Sequence, residues 1–265
     1  MDKPHKLTHL ELLETALEEP GMLSTSFNKF YNYSLGNSLG VQIQCLWRGQ
    51  EPNFFMSRKK WEEIGRSVKE DQKRKALFIW IPTTKKYQRE TENPDTGEIE
   101  MQSIEYRTFV YRPRVYTLEQ TEGKEVELLQ PPDFDIYKAC DGLDIEIIPF
   151  VHSNGNAGGY RPRDKKAIAV NPIWGEEGTH DQLRVFLHEM AHAVLHHEDD
   201  QTAPDIKEME AEGVTYVVGT ALELDGLDKS RGYIQHWAGD KKYTDKMARR
   251  IFSASEQILK NGREV

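Results

Sequence analysis

The sequence predicts an α+β chain. N-terminal helices lead into a small antiparallel β unit, and a second domain follows, built round one apolar helix that carries histidines. Three observations predict this. Leu7, Leu10, Leu12, Leu13 and Leu17 recur near helical spacing. Ala76-Leu-Phe-Ile-Trp-Ile81 and Ser103-Ile-Glu-Tyr-Arg-Thr-Phe-Val-Tyr111 are aromatic and β-branched runs on either side of a turn-forming segment. Val185-Phe-Leu-His-Glu-Met-Ala-His-Ala-Val-Leu-His-His197 is an apolar helical run without Gly or Pro.

In chain order, a helix is expected over 7–17, ended by Pro20 and Gly21. A second spans 24–44, softened at Gly36 and Gly40. Arg58-Lys-Lys-Trp-Glu-Glu-Ile-Gly65 reads as a short helix closed by its glycine. The strand 76–81 should end at Pro82, and Asn93-Pro-Asp-Thr-Gly97 is a turn between hairpin arms. Thr121-Glu-Gly-Lys124 is another turn, and Glu125–Phe134, with Pro131-Pro132, reads as a linker. This divides the chain into domains 1–130 and 131–265. Beyond the linker come a helix start at Asp135, a strand at Asp144–Pro149, hairpin arms at Tyr160 and Ala167–Val170, and the histidine helix. Thr179 and Gln182 have the spacing of a capping box for that helix. Further helices are expected over 207–222 and 245–260.

With 265 residues, 10% of them aromatic, and a mean hydropathy of -0.71, the composition suits a soluble globular protein. The two cysteines, Cys45 and Cys140, have no metal-binding spacing, and a reducing cytoplasm is the expected compartment. The polar start lacks an apolar signal core and no run approaches transmembrane length, so no membrane partner is expected. The net charge of -9 is uneven. Residues 131–265 carry 16 basic against 24 acidic side chains, whereas residues 52–89 hold 11 basic and 4 acidic. Such an island can attract a polyanion to an acidic protein.

His188-Glu189-Met190-Ala191-His192 matches H-E-x-x-H. Four residues apart on a helix, the two imidazoles project from one face and can bind one zinc ion, while Glu189 can take a proton from water. The order strand, strand, metal-binding helix is that of a compact zincin-like peptidase domain. A catalytic zinc needs a third protein ligand and keeps one position open. Glu208, Glu210 and Glu212 are all possible by position. The reading selects Glu210, which precedes Ala211 and lies one turn before Val214, at the border of the apolar face. Glu212 suits an outer hydrogen bond to a ligand histidine. His196 lies two turns beyond His188, about 12 Å along the axis, too far to share the ion, and His197 is expected to be exposed. Tyr160, Tyr216 and His236 are candidates to stabilise an oxyanion. The ligand set favours Zn2+, though manganese or cobalt fits the same donors.

These pieces resemble the ArdC-type antirestriction proteins of plasmids and phages, which pair an N-terminal single-stranded-DNA-binding domain with a C-terminal zinc metallopeptidase-like domain. The resemblance rests on Tyr31-Asn-Tyr-Ser-Leu-Gly-Asn37, Trp61-Glu-Glu-Ile-Gly-Arg-Ser-Val68, Ala76–Pro82, Val115-Tyr-Thr-Leu-Glu-Gln-Thr-Glu-Gly123, the H-E-x-x-H helix and Glu208-Met-Glu-Ala-Glu-Gly-Val-Thr-Tyr-Val-Val218. It also favours Glu210 as the third ligand. The turn Lys69–Lys75 lacks the family's glycine, and the last 40 or so residues have no match. The resemblance implies that the β unit binds single-stranded DNA. Arg58, Lys59, Lys60, Arg66, Lys73, Arg74, Lys75, Lys85, Lys86 and Arg89 would meet phosphates, and Tyr87, Tyr106 or Tyr111 would stack on bases. Protection of incoming plasmid or phage DNA follows by resemblance, with a protein or peptide as a possible further substrate. The alternative is an intracellular zinc metalloprotease without a DNA role, its basic island recognising acidic proteins.

Overall fold

The computed structural model describes residues 5–30, 32–51, 54–92, 99–127, 133–151, 159–160, 165–172, 179–196, 201–227, 234 and 243–263. They divide into two compact units, Met1–Ile43 with Glu127–Val265, and Gln44–Val126. This differs from the expected boundary at residue 130, because the first helices fold with the C-terminal part of the chain. Helix α1 (His9–Glu18) opens on a capping box between Thr8 and Glu11. The amides of His9 and Leu10 donate to Asp245 Oδ1, at 2.8 and 3.2 Å. A carboxylate at a helix N-terminus meets unpaired amides and the positive end of the dipole. Leu12, Leu13 and Ala16 are buried, and α1 packs on α8 (Asp245–Asn261).

The expected single helix over 24–44 is two, α2 (Pro20–Phe30) and α3 (Leu35–Trp47). The break comes at Ser34, whose hydroxyl accepts from the amide of Asn37 at 3.3 Å, while the two glycines lie inside α3. Pro20 does not simply end α1; it begins α2, where its missing N–H costs no bond. In the same unit, α6 (His180–His196) packs on α7 (Pro204–Ala221), α7 on α8, and α2 on α7. A mixed sheet of order β6-β8-β7 (Glu146–Ile147, Ala167–Val170, Gly159–Tyr160) lies against α6. Helix α5 (Ile136–Gly142) starts where Asp135 accepts from Tyr137 and Lys138 amides.

In the unit Gln44–Val126, β1 (Phe55–Ser57), β4 (Ile99–Thr117) and β3 (Leu77–Glu92) form one antiparallel sheet, order β1-β4-β3. Strand β3 does not end at Pro82 but continues to Glu92. In a two-stranded ribbon half of the amides point outward, and a proline at such a place costs no ladder bond. The expected turn at 93–97 and the two linker prolines lie outside the described residues. The short helix α4 (Arg58–Glu63) buries Trp61 completely, and its indole N–H donates to Tyr116 O at 2.9 Å. Strand β2 (Arg66–Val68) pairs with β5 (Thr121–Gly123), where a turn alone was expected. The pairing needs a glycine at 123: its φ is +131°, and a Cβ there would lie 2.5 Å from Gly65 O. Cys45 and Cys140 are buried free thiols, and burial pushes them up to about 11 and about 12. Among the described residues, no helix is long and apolar enough to cross a membrane.

Candidate metal centre

Helix α6 buries Phe186, Leu187, Met190, Ala191 and Ala193. Its N-terminus is held by Thr179, whose hydroxyl accepts from the Gln182 amide at 3.4 Å. One turn apart, His188 and His192 present their Nε2 atoms to each other at 3.2 Å, ring planes at 82°. From α7, Glu208 faces both rings: Oε2 lies 3.4 Å from His188 Nε2, Oε1 lies 3.3 Å from His192 Nε2, and one donor atom from each of the three residues lies within 4.8 Å of the others. A tetrahedral ion with bonds of about 2.0–2.1 Å separates its ligands by roughly 3.3–3.4 Å. Each of these contacts is close to a ligand–ligand separation, but the two rings face different oxygens of Glu208, so a turn of the carboxylate brings one oxygen to a shared divalent cation. Glu208 remains 46% exposed, so solvent reaches this side of the group.

Glu210 is not beside the imidazoles, which corrects its selection as third ligand. It is 1% exposed, and its carboxylate pairs with Arg250 Nε on α8 at 3.2 Å. Residues two apart on a helix point about 200° from one another, so Glu208 and Glu210 cannot serve one site. Glu212, one turn after Glu208, shares its face and places Oε1 3.4 Å from His188 Nδ1. It can fix the tautomer and orientation of that ring from behind, as expected of an outer partner. Arg250 also donates to Leu195 O at 3.1 Å, tying the end of α6 to α8.

The electrostatics favour a cation here. Burial alone would lower the His188 pKa, but hydrogen bonds to Glu208 and Glu212 carry it up to about 10. The hydrogen bond to His188, then that to His192, holds Glu208 well below the ordinary carboxylate range. Glu189, 7% exposed, faces away from solvent beside β7. A Cβ at Gly159 would lie 2.7 Å from Glu189 Cγ and 2.8 Å from Ala169 O, so the carboxylate has room only because residue 159 lacks a side chain. Sequence reasoning holds Glu208 among the possible ligands without selecting it, and misses Gly159 and Arg250. The i, i+4 spacing of Glu208 and Glu212 was the available signal for the first.

Of the oxyanion candidates, Tyr216 is buried and donates to Ala16 O at 3.4 Å, a packing role in the core. His197 and His236 lie outside the described residues, as do the side chains of Tyr160 and His196.

The basic island is on the other unit. Arg58 pairs with Glu62 at 2.8 Å, Lys59 with Glu63 at 3.8 Å, Lys75 with Asp71 at 3.8 Å, and Lys73 with Glu70. Such exposed pairs are weak and yield readily to phosphates. Arg66 differs. It lies 5.8 Å from the Trp61 ring centre and donates to Thr121 Oγ1 at 2.9 Å and Thr121 O at 3.0 Å, so it fastens the β2–β5 joint. Lys60, Arg74 and Lys85 are exposed.

Residues 14–111 match the family model described as the N-terminal domain of anti-restriction factor ArdC. The crystal structure of the antirestriction ArdC protein from the R388 plasmid, Mn(II)-bound, is similar over 97% of this chain and 98% of that one, with 14% identity and a TM-score of 0.53. The metal-free structure of the same protein covers 96% and 94%, with 17% identity and a TM-score of 0.48. No curated protein matches.

Proposed function

We propose that this chain, an ArdC-type protein, binds single-stranded DNA through the unit Gln44–Val126 and carries a zinc-dependent peptidase-type site on α6 and α7. Its use is the protection of incoming plasmid or phage DNA. The observation that carries the second half is the cluster of His188, His192 and Glu208, one donor atom of each within 4.8 Å of the others, beside a secluded Glu189. A zinc ion held there would supply Lewis acidity toward a substrate carbonyl and make water more acidic. The chain's own residues do the rest. His188 and His192 orient their Nε2 atoms, and Glu212 steadies the first ring through Nδ1. The Glu189 carboxylate accepts a proton from the attacking water and passes it to the leaving nitrogen. The first half is supported by the family match over 14–111 and by the local excess of cations at 52–89.

The test is oligonucleotide binding across a salt series, on the unaltered protein and on Glu189→Gln. Both should prefer single strands to duplex with a steep salt slope and bind about one zinc per chain. Glu189→Gln should lose about 10²- to 10⁴-fold in metal-dependent peptide hydrolysis. Zinc binding without nucleic-acid binding would overturn the DNA reading and leave the intracellular protease.

A further inference from the structure

The β3–β4 hairpin sorts its charges between its two faces. Its register pairs Ile79 with Arg112, Ile81 with Val110, Thr83 with Thr108, Lys85 with Tyr106, Tyr87 with Ile104 and Arg89 with Gln102. Directly opposed residues share a face, and so do residues two apart along one strand. One face of this stretch therefore carries Lys85, Arg89 and Arg112 and no carboxylate. The other carries Lys86 and Arg107 against Glu90 and Glu105, with Lys86 paired to Glu105. The ladder's last two pairs add Glu100 to the first face and Glu92 to the second, so over 79–92 and 99–112 the faces stand at +2 and -1.

The cationic face also bears the accessible tyrosines. Tyr87 is 46% and Tyr106 44% exposed, their ring centres 5.7 Å apart and nearly perpendicular. Basic and aromatic positions alternate along β3 as Lys85, Tyr87 and Arg89, about 6.8 Å apart. Lys85, Arg89 and Arg112 have no ion pair among the described residues. Strand β1 pairs with β4 only at 115–117, so among the described residues this stretch of the sheet has two strands. Tyr111, expected to join the stacking set, lies on the opposite face against Trp80, ring centres 4.7 Å apart.

We propose that single-stranded DNA runs along the face of the β3–β4 arm formed by Lys85, Tyr87, Arg89, Tyr106 and Arg112. The two tyrosines stack on bases and the three cations meet phosphates. This rests on the single-strand-binding reading and narrows it from the whole basic island to one face of one hairpin. The commitment to nucleic acid follows from the pairing of net positive charge with accessible rings. A duplex keeps its bases stacked inside and offers the tyrosines nothing to stack on.

The test is fluorescence anisotropy of labelled oligo-dT on the full chain. Tyr87→Ala with Tyr106→Ala should weaken binding about tenfold or more. Lys85→Ala, Arg89→Ala and Arg112→Ala together should make the log–log salt slope shallower by about 2. Lys86→Ala with Arg107→Ala, on the opposite face, should change affinity less than the tyrosine pair does and leave stacking intact. All seven of these side chains are exposed, so circular dichroism should report an unchanged fold. If the unaltered protein binds oligo-dT but the first two sets bind as well as it does, the face is wrong and the single-strand reading survives. If the unaltered protein does not bind, both fail. Equal capture of polyglutamate and oligo-dT would overturn the commitment to nucleic acid.

Discussion

Replacing Glu208 with alanine should lower divalent-metal affinity by more than about 100-fold while leaving the melting temperature of the metal-free protein nearly unchanged. Loss of an outer-shell partner alone costs 10- to 100-fold, and Glu208 is proposed as a direct donor, its two oxygens lying 3.4 and 3.3 Å from the Nε2 atoms of His188 and His192. Its stability cost is small because the side chain is 46% exposed, and exposed pairs contribute about 0–1 kcal/mol. Titration calorimetry with Zn2+, with a melting curve on the same sample, reads both. An affinity within threefold of the unaltered protein would remove Glu208 from the site.

Replacing Glu210 with alanine should do the reverse. Its carboxylate is 1% exposed and lies against the Arg250 guanidinium at 3.2 Å. Breaking a fully buried pair costs 3–5 kcal/mol. Arg250 is 30% exposed, so solvent compensates in part and about 2–3 kcal/mol is expected, or a fall in Tm of roughly 5–10 °C. Zinc affinity of the folded protein should stay within about tenfold. Two carboxylates, two positions apart on α7, thus fail in opposite ways. A Glu210 variant that keeps its Tm and loses its metal would reinstate the residue as a ligand.

The contrast shows what the sequence made legible. The histidine helix, its Thr179 start and the two hairpin arms follow from local pattern, because spacing and capping are short-range properties. Glu210 borders an apolar face in the sequence, and it does lie in the core. But a ligand must face the opening where His188 and His192 point, and only the packing of α7 on α6 decides which side that is. The helical angle between 208 and 210 already excluded their sharing one site; the choice between them was tertiary. The boundary at 130 failed for a related reason. Leu12, Leu13 and Ala16 announce that α1 buries a face, yet nothing local says that α8, over 200 residues later, covers it. Pro82 reads as a strand end unless the strand has only one partner there. Likewise the charge sorting on β3 and β4 depends on register, which pairs residues from opposite sides of a turn.

The motif Trp61–Val68 gained a structural meaning of its own. Trp61 fills the centre of a small core with Val68 and Tyr116, and Arg66 clasps the Thr121–Gly123 strand. Two segments that carry the family resemblance, far apart in the chain, thus meet in one joint. Arg66 is engaged in this joint, so on the proposed single-strand reading the exposed arm is the better place to look for DNA contacts.

The most direct test of the metal centre is an anomalous difference map from crystals soaked in Zn2+. A single peak about 2.0–2.2 Å from His188 Nε2, His192 Nε2 and one oxygen of Glu208 is the expected result. A peak ligated by Glu210, or density that leaves the two histidines unligated, would contradict it.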